Sequence, residues 1–175
     1  GLETATEYMN AGQWQDATAI LKQTIEAAPD KSKVSPLVYY NLAYVARKMN
    51  QPQKAADYLQ LAVKAPTDYV FPFQREAIDV LEQAMAANPA DARAPYYLGN
   101  LLYDWQPERA IALWEKSVSL GADFPVVYRN LAWVARRQNA DSGKIFALLE
   151  KAAQYGGSAM VFNDLDQFYE EPGQT

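Results

Sequence analysis

Val38–Asn50 reads VYYNLAYVARKMN, and Val127–Asn139 reads VYRNLAWVARRQN. Nine of the thirteen positions are identical, and the seventh position is aromatic in both stretches, Tyr44 in one and Trp133 in the other. An internal repeat of this kind indicates an architecture built from copies of one small unit, each stacked on the next.

The sequence around the two stretches consists of helix-length segments. Alanine, the strongest helix former, is spread through the chain, and proline and glycine separate the segments. No segment alternates polar and apolar residues for long enough to predict a strand. We predict about ten helices joined by short connections, so that neighbours pack as antiparallel hairpins. The predicted helices span 2–11, 13–28, 35–49, 52–65, 72–87, 91–104, 107–120, 124–138, 142–155 and 158–170.

The composition is that of an ordinary globular chain and excludes several kinds of chemistry. The chain has 175 residues, of which 16 are basic and 21 acidic, for a net charge of −5. It has no cysteine and no histidine, which excludes zinc sites built from those ligands, disulfides, thiol nucleophiles and histidine-based triads. There is no basic stripe for nucleic acid and no apolar run long enough to cross a membrane. We therefore expect no metal, no cofactor, no nucleic-acid partner and no membrane insertion.

The repeated residues resemble the tetratricopeptide repeat, whose first helix carries an aromatic, a Leu-Gly pair and a second aromatic, and whose second helix carries alanine, an aromatic and proline. The matching positions are Tyr39, Leu42 and Ala43 with Ala55, Leu59 and Ala62; Leu98-Gly99 with Ala110, Trp114 and Ser117; Tyr128, Leu131 and Ala132 with Ile145, Leu149 and Ala152; and Ala5, Tyr8, Gly12, Trp14, Ala17 and Leu21. The resemblance implies an all-α fold, an α-solenoid in which antiparallel helix hairpins form a superhelix.

The spacing of these matches predicts how the single solenoid domain, residues 1–175, is divided. Residues 1–65 hold the first two repeats, and residues 91–155 hold two more. Residues 66–90 have room for only one helix and form a degenerate half-repeat, while residues 156–175 form a capping helix and a tail. The segment from Phe71-Pro72-Phe73 to Tyr96–Tyr103 also resembles the repeat region of large bacterial multidomain proteins, in which similar repeats follow a domain of unknown function.

Helical spacing places tyrosine, tryptophan, arginine and asparagine on one stripe of each first helix. Because these residue types anchor protein interfaces, we predict a peptide- or partner-binding face. The resemblance adds that asparagines at two of these positions contact a ligand backbone, and that the lysine–asparagine pair of a full carboxylate clamp is missing from the first repeat. The predicted site residues are Tyr40, Asn41, Tyr44, Arg47, Tyr96, Asn100, Tyr103, Arg129, Asn130, Trp133 and Arg136.

The predicted face has testable properties and simpler explanations. The arginines would make the groove positive, which suits an extended peptide with an acidic or carboxylate feature. However, cations in the last turn of a helix are also favoured by the helix dipole, and aromatics at helical spacing also pack between helices. The binding hypothesis requires a continuous exposed stripe. Burial of its members Tyr40, Tyr44, Asn100, Trp133 and Arg136 would favour a purely architectural role.

No arrangement of catalytic residues is evident, because the serines lack a histidine and no paired carboxylates share a helix face. We therefore expect a non-catalytic scaffold that binds a protein or peptide partner on its concave face. The alternative is a helical module of a larger bacterial protein that positions an attached domain, such as a carbohydrate-handling one. Either a monomer or a weak homodimer is expected, since solenoid ends are adhesive. No signal peptide is evident, so a cytoplasmic location is favoured, although the sequence does not decide the compartment.

Overall fold

The computed structural model describes residues 1–68, 70, 72, 74–157 and 164. These residues form nine α-helices and no strand, which confirms the predicted fold class. The helices are α1 (Leu2–Asn10), α2 (Trp14–Ala27), α3 (Pro36–Lys48), α4 (Pro52–Lys64), α5 (Ala77–Ala87), α6 (Arg93–Leu102), α7 (Pro107–Ser119), α8 (Pro125–Arg137) and α9 (Ser142–Ala152). The tenth predicted helix, over 158–170, lies outside the described residues except for Asp164.

Eight of these helices pair in sequence as four hairpins, α1 with α2, α3 with α4, α6 with α7 and α8 with α9. The second helix of the first hairpin packs on α3, and the second helix of the third hairpin packs on α8. Each hairpin thus buries its apolar face against a neighbour in the chain, which is the packing of an α-solenoid.

The two repeated stretches have the same local structure. Each forms most of a thirteen-residue helix that starts at a proline, Pro36 in α3 and Pro125 in α8. Proline suits the first helical position because its missing N–H would have no partner there. The asparagines that follow the two helices, Asn50 and Asn139, have φ of 56° and 55°. In both, the next amide donates to the carbonyl of a buried alanine, at 2.8 and 2.9 Å. The repeat in the sequence is therefore a repeat in the backbone.

The core consists of leucines between layers and small residues where helices cross. Leu42 and Leu98 are fully buried, and Leu131 is nearly so. Ala43 and Ala132, at the following repeat position, are also buried. An alanine there lets neighbouring helices approach closely.

Helix α5 is the irregular element. It begins at Ala77, later than the predicted start at 72, because Arg75 and Glu76 form a turn. It packs between α3 and α6, and so carries the contact from the second hairpin to the third. The division of the chain at 66–90 remains a prediction, and the structure describes only one helix within that range.

Candidate partner-binding site

The predicted stripe on α3 is covered by α5. Val80, Ala84 and Ala87 of α5 face Tyr40 and Tyr44 across a closed crevice that leaves no room for water. The start of α5 is also held to α1, where Thr6 donates a hydrogen bond to the Gln74 side chain at 3.0 Å and Asn10 donates to Glu76 at 3.3 Å. In the first half of the chain, α1 to α5, the face expected to bind a partner is therefore covered by α5.

Tyr40 itself must be removed from the candidate site. It is completely buried, and its hydroxyl donates a hydrogen bond to the Asp91 carboxylate at 2.6 Å. The pKa of Tyr40 is raised well above its ordinary value, first by burial and then by the negative charge of Asp91. A side chain with this environment serves packing and cannot touch a partner.

The remaining predicted residues of α3 are also unsuited to a continuous stripe. Asn41 is buried and donates to the Leu37 carbonyl at 2.7 Å, so its amide is not presented to a ligand backbone. Tyr44 is half-buried, with its ring edge-on to Trp14 at 6.5 Å. Only Arg47 is exposed. The expected stripe across both halves of the chain is thus wrong for the first half, because α5 fills the space.

In the second half, five of the predicted residues line one cleft. We call it the α6–α8 cleft; it has a volume of about 680 Å³. Its walls come from the segment after α4, from α6 and α7, from the first turns of α8, and from Gly156 and Gly157. The predicted residues in it are Tyr96, Asn100, Tyr103, Arg129 and Asn130, and its other side chains include Asp68, Asp104 and Trp114.

Asn100 organises the polar groups of the cleft. Its side-chain oxygen accepts a hydrogen bond from the Trp114 indole at 3.1 Å and a longer one from the Asn130 amide at 3.5 Å. Burial raises the pKa of the nearby Tyr96 hydroxyl; the Asn100 side chain acts in the opposite direction, and the charge of Asp68 adds to the effect of burial. The polar wall is fixed before any partner arrives, which reduces the entropy lost on binding.

A second concavity continues from the cleft. We call it the aromatic groove; it has a volume of about 280 Å³ and shares Tyr103, Trp114 and Asn130 with the cleft. The Tyr103 and Trp114 rings are stacked with centroids 5.1 Å apart. Trp133 lines the groove and is 40% exposed, although it is a large apolar side chain. Exposed tryptophan beside stacked aromatics is typical of a contact surface.

The charge of the cleft differs from the expected positive groove. Arg129, the cation that lines it, is bound to Asp164, with Nε to Oδ2 at 2.8 Å and Nη2 to Oδ1 at 3.3 Å. Arg136 does not line the cleft and lies over the Trp133 ring, 5.4 Å from its centroid. Because the arginine charge is already neutralised by a carboxylate, the case for an acidic peptide fails in this cleft.

Trp114, Asp68 and Asp104 also line the cleft but are not among the predicted site residues. Trp114 is buried, and its side chain still forms part of the cleft lining. Asp68 and Asp104 lie in connections between helices, where helical spacing gives no indication of direction. Within the described part of the chain, no group of acidic side chains could hold a metal ion, and each helix is too short or too polar to span a bilayer.

Comparison with known families identifies the repeats. Residues 2–69 match the model of the tetratricopeptide repeat family. Residues 2–69 contain tetratricopeptide repeats. The match covers α1 to α4, so the resemblance read from the sequence is confirmed for the first two hairpins. Tetratricopeptide repeats form protein–protein interaction modules, and families of this scaffold type are generally non-catalytic. A search among curated proteins gave no match.

Several solved structures resemble the chain at low similarity. MamA 41-end from Desulfovibrio magneticus RS-1 is 22% identical, with 89% of this chain and 93% of that chain covered and a TM-score of 0.40. YrrB, described as a TPR protein with an unusual peptide-binding site, is 15% identical, with 93% and 88% covered and a TM-score of 0.42. Scores of this size do not establish a shared arrangement of the repeats.

Proposed function

We propose that the chain is a non-catalytic scaffold that binds an extended peptide segment of a partner protein in the α6–α8 cleft and the aromatic groove. The observation that carries the proposal is the continuity of these two concavities, which share Tyr103, Trp114 and Asn130. Together they present aromatic surface and fixed amide groups along one path. Peptide recognition requires both features, since aromatic contacts supply affinity and amides fix the backbone.

The proposal restricts binding to the second half of the repeat array. In the first half, α5 covers the same face of α3, and Tyr40 there is fully buried. In the second half, Trp133, which occupies the position of Tyr44 in the repeated stretch, remains 40% exposed. Trp133 is therefore the side chain whose removal should reveal binding most directly.

The test is a selection of short random peptides displayed on phage, with the purified chain as the target. Labelled copies of the enriched peptides are then titrated with the wild type, Trp133→Ala and Trp105→Ala. Loss of an interface anchor weakens binding by about tenfold or more, so Trp133→Ala should weaken it by this factor. Trp105 is a matched control, since it is 61% exposed and lines neither the cleft nor the groove.

Circular dichroism at rising temperature shows whether both variants remain folded. Equal affinities for the wild type and folded Trp133→Ala would reject the proposed site. Failure of the wild type to enrich any peptide would reject peptide binding itself.

A second candidate role is architectural, and one observation favours it. Helix α5 fills the first-helix face of the first half and links α3 to α6, which makes that half a packed spacer. In this role the array would hold an attached domain at a fixed position, and the peptide selection would give no enrichment.

A further inference from the structure

The α6–α8 cleft has two carboxylates without an ion-pair partner in the described part of the chain. Asp68 lies in the segment after α4, and Asp104 lies just after α6. Both are exposed and both line the cleft. The salt bridges among the described residues involve other acidic side chains, namely Asp123, Glu82 and Asp164.

Arg129, the one cation among the described residues of the cleft wall, does not offset these two charges. Arg129 is held by both oxygens of Asp164, whose side chain is only 8% exposed. The charges of Arg129 and Asp164 therefore cancel within this ion pair. The formal charge left facing the cleft is therefore negative, in a chain whose net charge is already −5.

The negative charge is placed beside aromatic rings. Tyr96, Tyr103 and Trp114 form an aromatic wall in the same cleft that Asp68 and Asp104 line. The charge of Asp68 acts on Tyr96, where it adds to the effect of burial in raising the pKa of the phenol. Carboxylates at the rim and aromatic faces on the wall both attract cations, the first by Coulomb attraction and the second through the ring quadrupole.

We infer that the segment bound in the α6–α8 cleft is basic and places a lysine or arginine side chain between Asp68, Asp104 and the aromatic wall. This inference rests on the proposed function and specifies its ligand. An acidic segment would meet two like charges, and the charge of Arg129 that could attract it is already offset by Asp164. Electrostatic complementarity thus selects the basic partner.

The test uses the peptides enriched in the phage selection against the wild-type chain. The first readout is their content of lysine and arginine relative to the unselected library, which should be raised. The second compares one enriched peptide with an analogue in which glutamine replaces its basic residues. Two partly exposed ion pairs correspond to about a three- to tenfold change in Kd, so the analogue should bind more weakly by that factor.

A double variant, Asp68→Asn with Asp104→Asn, assigns this difference to the cleft. The variant should bind the two peptides almost equally, because the partner charges are gone. The matched control is Asp16→Asn with Glu26→Gln, which removes the same amount of charge from exposed positions on α2. The control should retain the full difference.

The outcomes separate the inference from the proposed function. Enriched peptides that lose affinity with Trp133→Ala but show no excess of basic residues would overturn the inference and leave peptide binding in place. An excess of acidic residues, or a peptide difference unchanged in the Asp68→Asn, Asp104→Asn protein, would overturn it as well. If no peptide is enriched at all, both the inference and the proposed function are contradicted.

Discussion

The Tyr40 hydroxyl donates a hydrogen bond to the Asp91 carboxylate at 2.6 Å and thereby joins α3 to the segment that starts α6. The other oxygen of Asp91 accepts from the Arg93 amide at 2.8 Å, at the first turn of α6. The buried Asp91 carboxylate therefore accepts a hydrogen bond from a backbone amide at the start of α6 and also connects the third hairpin to the second. Two further contacts join the same two hairpins, namely the packing of α5 on α3 and α6 and the edge-on contact between the Tyr40 and Tyr97 rings.

Tyr40→Phe should lower the free energy of unfolding by about 1–3 kcal/mol, because a buried carboxylate oxygen loses its donor. Urea unfolding followed by circular dichroism measures the change. Tyr39→Phe is the matched control, since Tyr39 is half-buried and its hydroxyl makes no hydrogen bond among the described residues. Equal stability of Tyr40→Phe and the wild type would show that the hydrogen bond contributes nothing net.

Tyr97→Phe should have the opposite result from Tyr40→Phe, although the two rings are only 6.0 Å apart. The Tyr97 hydroxyl is buried and has no hydrogen-bond partner in the described part of the structure. Removing an unsatisfied buried hydroxyl while keeping the ring is neutral or stabilising, by up to about 1 kcal/mol. The same urea series measures it, and a loss comparable to that of Tyr40→Phe would contradict the assignment.

Stability should fall in alkaline solution. Burial raises the pKa of Tyr97, and burial together with Asp91 raises the pKa of Tyr40. The unfolded chain therefore loses these protons first, so the stabilisation is complete below about pH 10 and declines as the pH rises further. Urea midpoints measured on both sides of this value should show the decline. The decline should be shallower in Tyr97→Phe, and an identical slope in the variant would argue against the shift.

The sequence predicted the repeats well because their determinants are local. A leucine, an alanine and an asparagine recur at the same positions of both stretches, and each stretch forms the same helix and the same turn. Asn139 and Asn50 even share their left-handed φ. Such features need no knowledge of the rest of the chain, so helical spacing was sufficient to place them.

The candidate site was predicted only in part because the environment of a repeat position depends on distant elements. Asn41 and Asn130 hold the same position in the repeated stretch, but the first is buried on its own helix and the second lines the cleft. The surroundings of the two helices also differ, because α5 packs on α3 whereas the segment after α9, residues 153–157, packs on α8. Asp164 likewise reaches Arg129 from far along the chain. No pattern within one repeat encodes either contact.

At the asparagines that follow the repeated helices, substitution by glycine should leave the stability nearly unchanged, whereas substitution by alanine should lower it. The left-handed region costs an alanine about 1–2 kcal/mol, whereas glycine has no such penalty. Asn139→Ala should therefore be less stable than the wild type by this amount, and Asn139→Gly should be close to it. Thermal unfolding measures both, and the same pair of substitutions at Asn50 should give the same order. A fully stable Asn139→Ala would contradict the predicted cost of the left-handed backbone, and a different order at Asn50 would contradict the equivalence of the two turns.

Gly99 should not accept even one methyl group. A Cβ atom there would lie 2.5 Å from Nε1 and 2.7 Å from Cδ1 of Trp114, and 3.1 Å from the Ala110 carbonyl. Trp114 cannot easily move aside, because its ring is stacked on Tyr103 and its indole donates to Asn100. Gly99→Ala should therefore cost about 1–3 kcal/mol through overpacking.

The same substitution links the core to the cleft. Displacing the Trp114 ring would break its hydrogen bond to Asn100 and change the polar wall, so Gly99→Ala should weaken peptide binding in protein that is still folded. Trp114→Phe supplies the control, since a smaller ring leaves room for the methyl group. In a double-mutant cycle, the combined variant should lose less stability than the sum of the single losses. Additive losses would show that the methyl group and the indole do not compete for the same space.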